Sequence, residues 1–193
     1  MRICVFGAAS NEIDEKYITE VERFGALMAK RGHELVFGAG MNGLMGACAR
    51  GIKSVGANVV GVIPSFFKEE SIEAIFPQCD ELIYTETMAK RKAKMEDLAE
   101  AFVIVPGGIG TFEEFFEVLT LKQLGRHTKP IAIYNIEDYY NNLEDFLKNA
   151  YEKGFIRNDC RKLYFCSKDA NEILEYVEND EPIGLTVHDL KDG

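Results

Sequence analysis

Short runs of continuous apolar residues alternate along the chain with longer segments in which apolar residues recur every three to four positions. The runs are rich in β-branched and aromatic residues, as is typical of strands covered on both faces of a sheet. The longer segments have the spacing of amphipathic helices. The predicted strands span 3–7, 34–38, 58–64, 81–85, 101–105, 131–135 and 162–166, and the predicted helices span 13–31, 42–55, 87–100, 111–124, 138–153 and 169–179.

This alternation predicts an α/β fold, Rossmann-like and doubly wound, with a mostly parallel sheet and helices on both faces. The sequence has no linker, internal repeat or low-complexity segment, so we predict a single domain over residues 1–180 and a polar C-terminal tail over 181–193. Ligands of such folds bind beyond the carboxyl ends of the strands. The loops after the strands are therefore the places to search for a site.

Charge and cysteine content narrow the classes of function. The 193 residues carry a net charge of −10, which argues against binding to nucleic acid or to an anionic membrane. The five cysteines form no C-x-x-C pair and the three histidines are scattered, so we predict reduced thiols and no metal site. The N-terminus resembles a strand rather than a signal peptide, and no apolar run approaches the ~20 residues of a membrane span. We expect a cytoplasmic protein.

The first glycine motif is GAGMNG, in which Gly38, Gly40 and Gly43 satisfy G-x-G-x-x-G between a predicted strand and a predicted helix. A dinucleotide site also requires an acidic residue about 20 residues further on, which binds the ribose hydroxyls. That region is NVVGVIPS and contains no acid. A nicotinamide or flavin site is therefore disfavoured. Two alternatives stay open: a tight turn with close packing, or a cradle for a phosphate or base without a dinucleotide.

The second glycine motif is PGGIGT, at 106–111. It is not a P-loop, because Gly110 is followed by Thr111 and Phe112 rather than by Lys and Ser or Thr, so NTP hydrolysis is not expected. Consecutive glycines before a helix expose backbone N–H groups, and the helix start carries partial positive charge. The motif therefore suits a phosphate monoester, although a tight turn that merely starts a helix is the simpler alternative.

Carboxylates follow this motif directly. One apolar stripe of the predicted helix is expected to bury against the sheet, while Glu114 heads a second strip that continues with Val118 and Leu121. This placement is compatible with a functional carboxylate, although the spacing by itself favours a structural role. The alternative is a capping box, in which Thr111 and Glu114 would satisfy the helix start. Glu113 and Glu117 are expected to be solvated.

The preceding helix, TMAKRKAKMEDLAE, carries two adjacent cations on a face that should be apolar. Arg91 and Lys92 share this face with Met88, Met95, Leu98 and Ala99. One interpretation is that both side chains reach solvent at the edge of the stripe. The functional interpretation is that Arg91 faces an anion bound by PGGIGT, since its guanidinium fork suits phosphate oxygens. The helix and the loop flank the same predicted strand and can therefore meet.

Two long motifs resemble those of a known family. PGGIGTFEE matches P-G-G-x-G-T-x-x-E and MAKRKAKM matches M-x-x-R-K-x-x-M, both typical of the LOG ("lonely guy") proteins, which are often mislabelled lysine decarboxylases. GLMGACARG, VVGVIP and LKQLGRHTKPIAIYN are similar to family text in the family's order. The chain departs from it at FGAAS, where a Cys-Gly-Ser-Ser text is usual, and at FGAG, where three glycines are common. These departures leave the base preference open.

The resemblance implies that the domain over 1–180 binds a nucleotide and is catalytic. It implies hydrolysis of the N-glycosidic bond of AMP or a cytokinin riboside 5'-monophosphate to the free base and ribose 5-phosphate, by a homodimer without a redox cofactor. The small-molecule nucleoside 5'-monophosphate is then the partner, with no nucleic acid and no membrane. The alternative is a non-catalytic carrier of the same fold that binds a nucleotide or molybdenum cofactor. No lysine lies in a context that suggests a pyridoxal Schiff base.

The resemblance also assigns site residues. Arg91 and Glu114 match the family's catalytic pair, and no metal ligand is implied. Glu70 is a candidate for an acid that contacts ligand in some relatives. The predicted substrate-binding residues are Ser10, Gly43, Met88, Lys92, Gly107, Gly108, Gly110, Thr111 and Thr120.

Overall fold

The fold is a single parallel sheet, seen in a computed structural model that describes residues 1–70, 74–181, 184 and 186–191. The order of the strands is β4-β3-β2-β1-β5-β6-β7, and every neighbouring pair among them is parallel. This confirms the predicted α/β, doubly wound class. The strands are β1 (Arg2–Phe6), β2 (Glu34–Phe37), β3 (Val59–Pro64), β4 (Glu81–Thr85), β5 (Ala101–Ile104), β6 (Ile131–Tyr134) and β7 (Phe165–Ser167).

Helices cover both faces of the sheet. One hydrophobic core lies between the sheet and helices α1, α2 and α7, and a second lies between the sheet and helices α4 to α6. Residues on both faces of β1 and β3 are buried, which explains why these strands are continuous apolar runs. The helices are α1 (Glu15–Lys30), α2 (Gly43–Val55), α3 (Ser65–Glu69), α4 (Met88–Leu98), α5 (Ile109–Gln123), α6 (Asn141–Glu152), α7 (Ala170–Asn179) and α8 (Val187–Leu190).

Several elements differ from the predicted ones, mostly by one to three residues at their ends. Helix α5 begins at Ile109 rather than at residue 111. The last strand is Phe165–Ser167, because Asn158–Leu163 forms a 3-10 turn that buries Leu163 as a strand would. The short helix α3 was not predicted, since its five residues are too few to show a helical period.

The C-terminal part of the chain returns to the body of the protein. Leu190 of α8 is buried with Leu147 and Leu163, and the side-chain amide of Gln123 donates to the Leu190 carbonyl at 2.9 Å. The predicted domain boundary at 180 stays a prediction. Across the described ranges, no helix has both the length and the apolar character to span a bilayer.

The order of the strands reverses at β1, which lies between β2 and β5. Connections from β1 run outwards in one direction through β2, β3 and β4, and from β5 in the other. The loops that leave β1 and β5 therefore diverge and open a crevice at the carboxyl edge, the usual ligand position of such sheets. Across this crevice the Ala8 N–H donates to the Pro106 carbonyl at 3.0 Å.

Candidate active site

The loop after β5 is held in place by two adjacent tyrosines. The Tyr140 hydroxyl donates to the Val105 carbonyl at 2.8 Å, and the Tyr139 hydroxyl donates to the Gly107 carbonyl at 2.6 Å. Both tyrosines donate to carbonyl groups of the loop, so neither side chain engages the N–H groups of the loop. Neither tyrosine was predicted as a site residue, and no motif in the sequence links them to this loop.

Helix α5 starts inside the glycine motif. Its N-cap is Gly108, and Thr111 is the third residue of the helix, so the capping box predicted for Thr111 and Glu114 is wrong. The N–H groups of Ile109, Gly110 and Thr111 donate to no protein acceptor within the described ranges. Three free N–H groups at the positive end of a helix form a favourable anion site.

The glycines of this loop serve different purposes. A Cβ on Gly107 would lie 2.6 Å from Cβ of Thr111, which is buried, so Gly107 is required by packing. A Cβ on Gly108 or Gly110 would meet no atom within 4 Å, and both residues are exposed. Packing within the chain therefore explains Gly107 and leaves the other two glycines to an external requirement, such as close approach of a ligand.

Arg91 of α4 lies in the interior below the carboxyl ends of β2 and β3. Its side chain is 7% exposed, and its Nε donates to the Val62 carbonyl at 3.1 Å. Its Cζ lies 6.0 Å from the centroid of the Phe67 ring. The alternative that Arg91 reaches solvent at the edge of its helix is therefore wrong. The charge stays in the protein interior, where a partner is needed.

Glu114 of α5 is the charged partner of Arg91. One Glu114 carboxylate oxygen lies 3.9 Å from Arg91 Nη1, and the Glu114 side chain is 13% exposed. Burial raises the pKa of Glu114 to about 7, while the positive charge of Arg91 opposes part of this rise. A buried carboxyl with a pKa near neutrality is a frequent property of catalytic acids and bases.

Lys92 connects α4 to α5. Its ammonium group forms ion pairs with Glu113 and, at 2.7 Å, with Glu117. Glu113 is exposed, as expected, whereas Glu117 is half-buried, and both also pair with Lys92. The predicted contact of Lys92 with substrate stays a prediction, and the observed role is to link the helices that carry Arg91 and Glu114.

The G-x-G-x-x-G segment is filled by the chain itself. The Gly43 N–H donates to Oδ1 of Asn11 at 2.8 Å, and the Leu44 N–H donates to the Ala8 carbonyl at 2.8 Å. Gly43 has φ +58°, and a Cβ there would lie 2.7 Å from the Ser10 carbonyl oxygen. Of the two alternatives left open by the sequence, the tight turn with close packing is the one observed. The start of α2 is thus already satisfied by the first loop.

The remaining predicted contacts fall in two regions. Ser10 lines a pocket of about 300 Å³ together with Gly107 and Gly108, and Met88 is exposed one turn before Arg91. Thr120 is exposed at a different pocket, beside Phe116, and lies about 9 Å along the helix from Glu114 at 1.5 Å per residue. The structure therefore brings Ser10 to the glycine loop and leaves Thr120 apart.

Comparison with known proteins places the chain in a family. A family model described as possible lysine decarboxylase matches residues 45–177. The cytokinin riboside 5'-monophosphate phosphoribohydrolase LOG2 of Arabidopsis thaliana is 35% identical over 181 residues, which cover 94% of this chain and 84% of that protein. LOG7 of the same plant is 36% identical, with coverages of 94% and 82%. The chain belongs to the LOG family.

Solved structures share the LOG fold at lower identity. The molybdenum cofactor carrier protein of Chlamydomonas reinhardtii aligns with a TM-score of 0.70 and 21% identity, covering 92% of this chain and 95% of that one. The molybdenum cofactor binding protein of Rippkaea orientalis aligns with a TM-score of 0.69 and 16% identity, covering 92% and 94%. At these identities the likeness shows the fold alone.

Proposed function

We propose that this LOG protein is a nucleoside 5'-monophosphate phosphoribohydrolase that hydrolyses AMP or a cytokinin riboside 5'-monophosphate to the free base and ribose 5-phosphate. The observation that carries the proposal is the buried Arg91–Glu114 pair beside the open start of α5. Gly110 and Glu114 are one helical turn apart, about 6 Å along the axis. The names of the Arabidopsis relatives support this choice of reaction.

The phosphate is the binding handle in this proposal. The N–H groups of Ile109, Gly110 and Thr111 would donate to its oxygens, and the partial positive charge at the helix start would favour its negative charge. Binding at this remote group holds the sugar in place, so binding energy serves the reaction at C1'. The open space at Gly108 and Gly110 supports this placement.

Glu114 is the proposed catalytic carboxylate. Cleavage of the bond between C1' and the base nitrogen leaves positive charge on the sugar, as in other glycoside hydrolyses. The base departs with the bonding electrons and takes up a proton, while the oxygen of a water molecule bonds to C1' and the water loses its proton. An ionised Glu114 would stabilise the cationic sugar and orient this water. Arg91, fixed by the Val62 carbonyl, would neutralise phosphate or assist the departing base.

A panel of nucleoside monophosphates, assayed for free base, tests the proposal. We expect AMP to exceed adenosine in kcat/KM by at least ~100-fold, because adenosine lacks the phosphate handle. Glu114→Gln should keep the fold and lose at least ~100-fold in turnover. Glu175→Gln, at an exposed position of α7, is the matched control and should retain activity. Equal kcat/KM for AMP and adenosine would refute the proposed role of the 5'-phosphate in binding the substrate.

The second candidate is a non-catalytic carrier of a nucleotide or molybdenum cofactor. It is consistent with the two solved structures named above, which share the fold and are named as molybdenum cofactor carrier or binding proteins. A carrier would retain its ligand through gel filtration and release no base in the same assay. The buried Arg91–Glu114 pair is the feature that favours the hydrolase, since simple retention of a ligand does not require a carboxyl with a pKa near neutrality.

The other candidate activity is the decarboxylation named in the family description. Amino-acid decarboxylation through a Schiff base needs an available lysine at the site. Lys92, next to Arg91, is bound by two carboxylates. We therefore do not propose this activity. The homodimer and the cytoplasmic location implied at the outset remain predictions, and light scattering measures the first.

A further inference from the structure

An apolar pocket adjoins the glycine loop on the side of helices α1 and α2. It has a volume of about 300 Å³ and lies between the first loop and the loop after β5. Ser10, Gly107 and Gly108 also line it, so the pocket borders the glycine loop. Its walls are formed by the side chains of Ile13, Tyr17, Leu44, Pro106 and Tyr139. The phosphate site proposed above therefore opens into a space that a monophosphate leaves unused.

The walls of this pocket suit a ring. Tyr17 and Tyr139 pack edge to face, with ring centroids 6.3 Å apart and planes 77° apart. Tyr139 is fixed by its hydrogen bond to the Gly107 carbonyl. Rigid aromatic walls favour a planar apolar group, which stacks or packs edge-on against them.

The charges of this pocket disfavour a second anion. Among the described residues that line it there is no lysine or arginine, and the one ionisable acid is Asp14. The Asp14 carboxylate accepts a hydrogen bond from the Lys16 N–H and so caps α1. The nearest cation to Asp14 is the Lys16 ammonium, 3.8 Å from its carboxylate, and this ammonium is also paired with Glu137. A second phosphate placed here would therefore meet the Asp14 carboxylate and a lysine that two carboxylates already share.

The pocket and the catalytic pair lie on opposite sides of the sheet. Ile13, Tyr17 and Leu44 belong to the core under α1 and α2, whereas the neighbours of Arg91 and Glu114 belong to the core under α4 and α5. The glycine loop at the carboxyl edge separates the two. A nucleoside whose C1' lies near Glu114 therefore cannot also fill the pocket with its base. Only a group on the far side of the phosphate reaches it.

We propose that this pocket binds a ring-sized apolar group esterified to the 5'-phosphate, so that the protein accepts nucleoside 5'-phosphodiesters as well as monophosphates. The proposal rests on the proposed function for the position of the phosphate. The volume suffices, because an apolar cavity of about 150 Å³ holds benzene. The reaction is unchanged: the bond from C1' to the base breaks, water supplies the hydroxyl, and the ester stays intact.

Calorimetry with the Glu114→Gln protein tests the pocket without turnover. The ligands are AMP, adenosine 5'-phenyl phosphate and ADP. We expect the phenyl ester to bind at least as tightly as AMP and ADP to bind about 10-fold more weakly. Adding Tyr17→Ala, which removes one wall, should lower the affinity for the phenyl ester relative to AMP by about 10-fold. Adding Ile13→Trp, which fills the space, should have the same effect, and Phe146→Ala on the exposed surface of α6 is the control.

The outcomes separate the pocket from the hydrolase. The proposed pocket is refuted if the phenyl ester binds more than 10-fold more weakly than AMP. It is also refuted if neither Tyr17→Ala nor Ile13→Trp changes the ratio of the affinities for the phenyl ester and AMP. If wild-type protein releases no base from AMP but the binding ratios behave as expected, the pocket stands and the proposed reaction falls. Melting temperatures of each variant confirm that the folded protein is compared.

Discussion

The guanidinium group of Arg91 occupies the space that a side chain at Gly38 would need. A Cβ at Gly38 would lie 2.9 Å from Cζ of Arg91 and closer still to its Nη2. Gly38 follows β2, and Arg91 reaches it from α4 while bonding to the Val62 carbonyl. The glycine after β2 therefore belongs to the Arg91 site rather than to a dinucleotide fingerprint.

Gly38→Ala should displace Arg91 with little damage to the fold, since the clash falls on the end of a flexible side chain. We expect a loss of at least ~100-fold in kcat/KM for AMP with a small change in melting temperature. Arg91→Ala should lose about as much, and the double variant should be no worse than either alone, because both changes remove the same group. Losses that multiply in the double variant would contradict this dependence.

Gly107→Ala and Gly110→Ala should separate packing from binding. An added methyl group at Gly107 meets Thr111. The free energy of unfolding of this variant should therefore fall by about 1–3 kcal/mol, the usual range for overpacking. At Gly110 the methyl group points into open space, so the variant should be as stable as wild type or slightly more stable. Its affinity for AMP should nevertheless fall about 10-fold. Urea unfolding and calorimetry measure the two effects, and wild-type affinity in Gly110→Ala would exclude close approach of a ligand there.

The rate should rise with pH if Glu114 acts in its ionised form. Burial raises the pKa of this carboxyl to about 7, so kcat/KM for AMP should increase from pH 6 and level off above about pH 8. The second ionisation of a phosphate monoester lies near 6 and accounts only for a lower inflection. A rate that falls between pH 6 and pH 8 would show instead that Glu114 donates a proton.

Glu114→Gln should stabilise the protein more at pH 8 than at pH 5. The unfolded chain loses the Glu114 proton near pH 4.5, whereas the folded chain keeps it until about pH 7. Wild-type stability therefore falls as pH rises through this window, relative to a variant that cannot ionise. A pKa that moves from 4.5 to about 7 corresponds to at most about 3 kcal/mol. Urea unfolding at pH 8 and pH 5 measures the difference in unfolding free energy between wild type and Glu114→Gln. At pH 4, where Glu114 is protonated in both the folded and the unfolded chain, its ionisation should contribute almost nothing to this difference.

Lys92→Met should lower kcat rather than raise KM. Lys92 joins α4 to α5 through Glu113 and Glu117, which flank Glu114, so its loss should loosen the catalytic pair and cost about 10-fold in kcat. Its positive charge also lowers the pKa of Glu114, so the pH inflection should move upwards in the variant.

The control for this variant is Lys90→Met, since Lys90 is exposed and pairs with Glu86 on the surface. Lys92→Arg should restore part of the rate by renewing the ion pairs. A rise in KM at constant kcat would instead support the contact with substrate that the sequence predicts for Lys92.

The fold was predictable because the inner strands are buried on both faces of the sheet and are therefore continuous apolar runs in the sequence. The strand at 81–85 was placed at its observed bounds, and most others within two residues. Errors arose where burial imitates a strand, as at Leu163, or where an element is too short to show a period, as in α3. Helix α5 starts two residues early because Gly108, which has no side chain to signal a cap, is its N-cap.

The site was predictable where a charge lies out of place. Arg91 on an apolar helix face and Glu114 at the head of an apolar strip each indicated a functional side chain, and the family resemblance joined them as a pair; the structure places them 3.9 Å apart. No local sequence pattern indicates that Arg91 packs against Gly38, or that Tyr139 and Tyr140 bind the glycine loop. These contacts join segments that only the order of the strands brings together.

The two glycine-rich helix starts are not equivalent. At the start of α2 the N–H groups of Gly43 and Leu44 are already bound by Asn11 and Ala8, whereas the start of α5 presents its N–H groups to an incoming ligand. In the proposed complex a nucleotide would consequently have a direction along the edge of the sheet, with its phosphate at β5. The same base and sugar carrying the phosphate on the 3' carbon would present the wrong bond to Glu114.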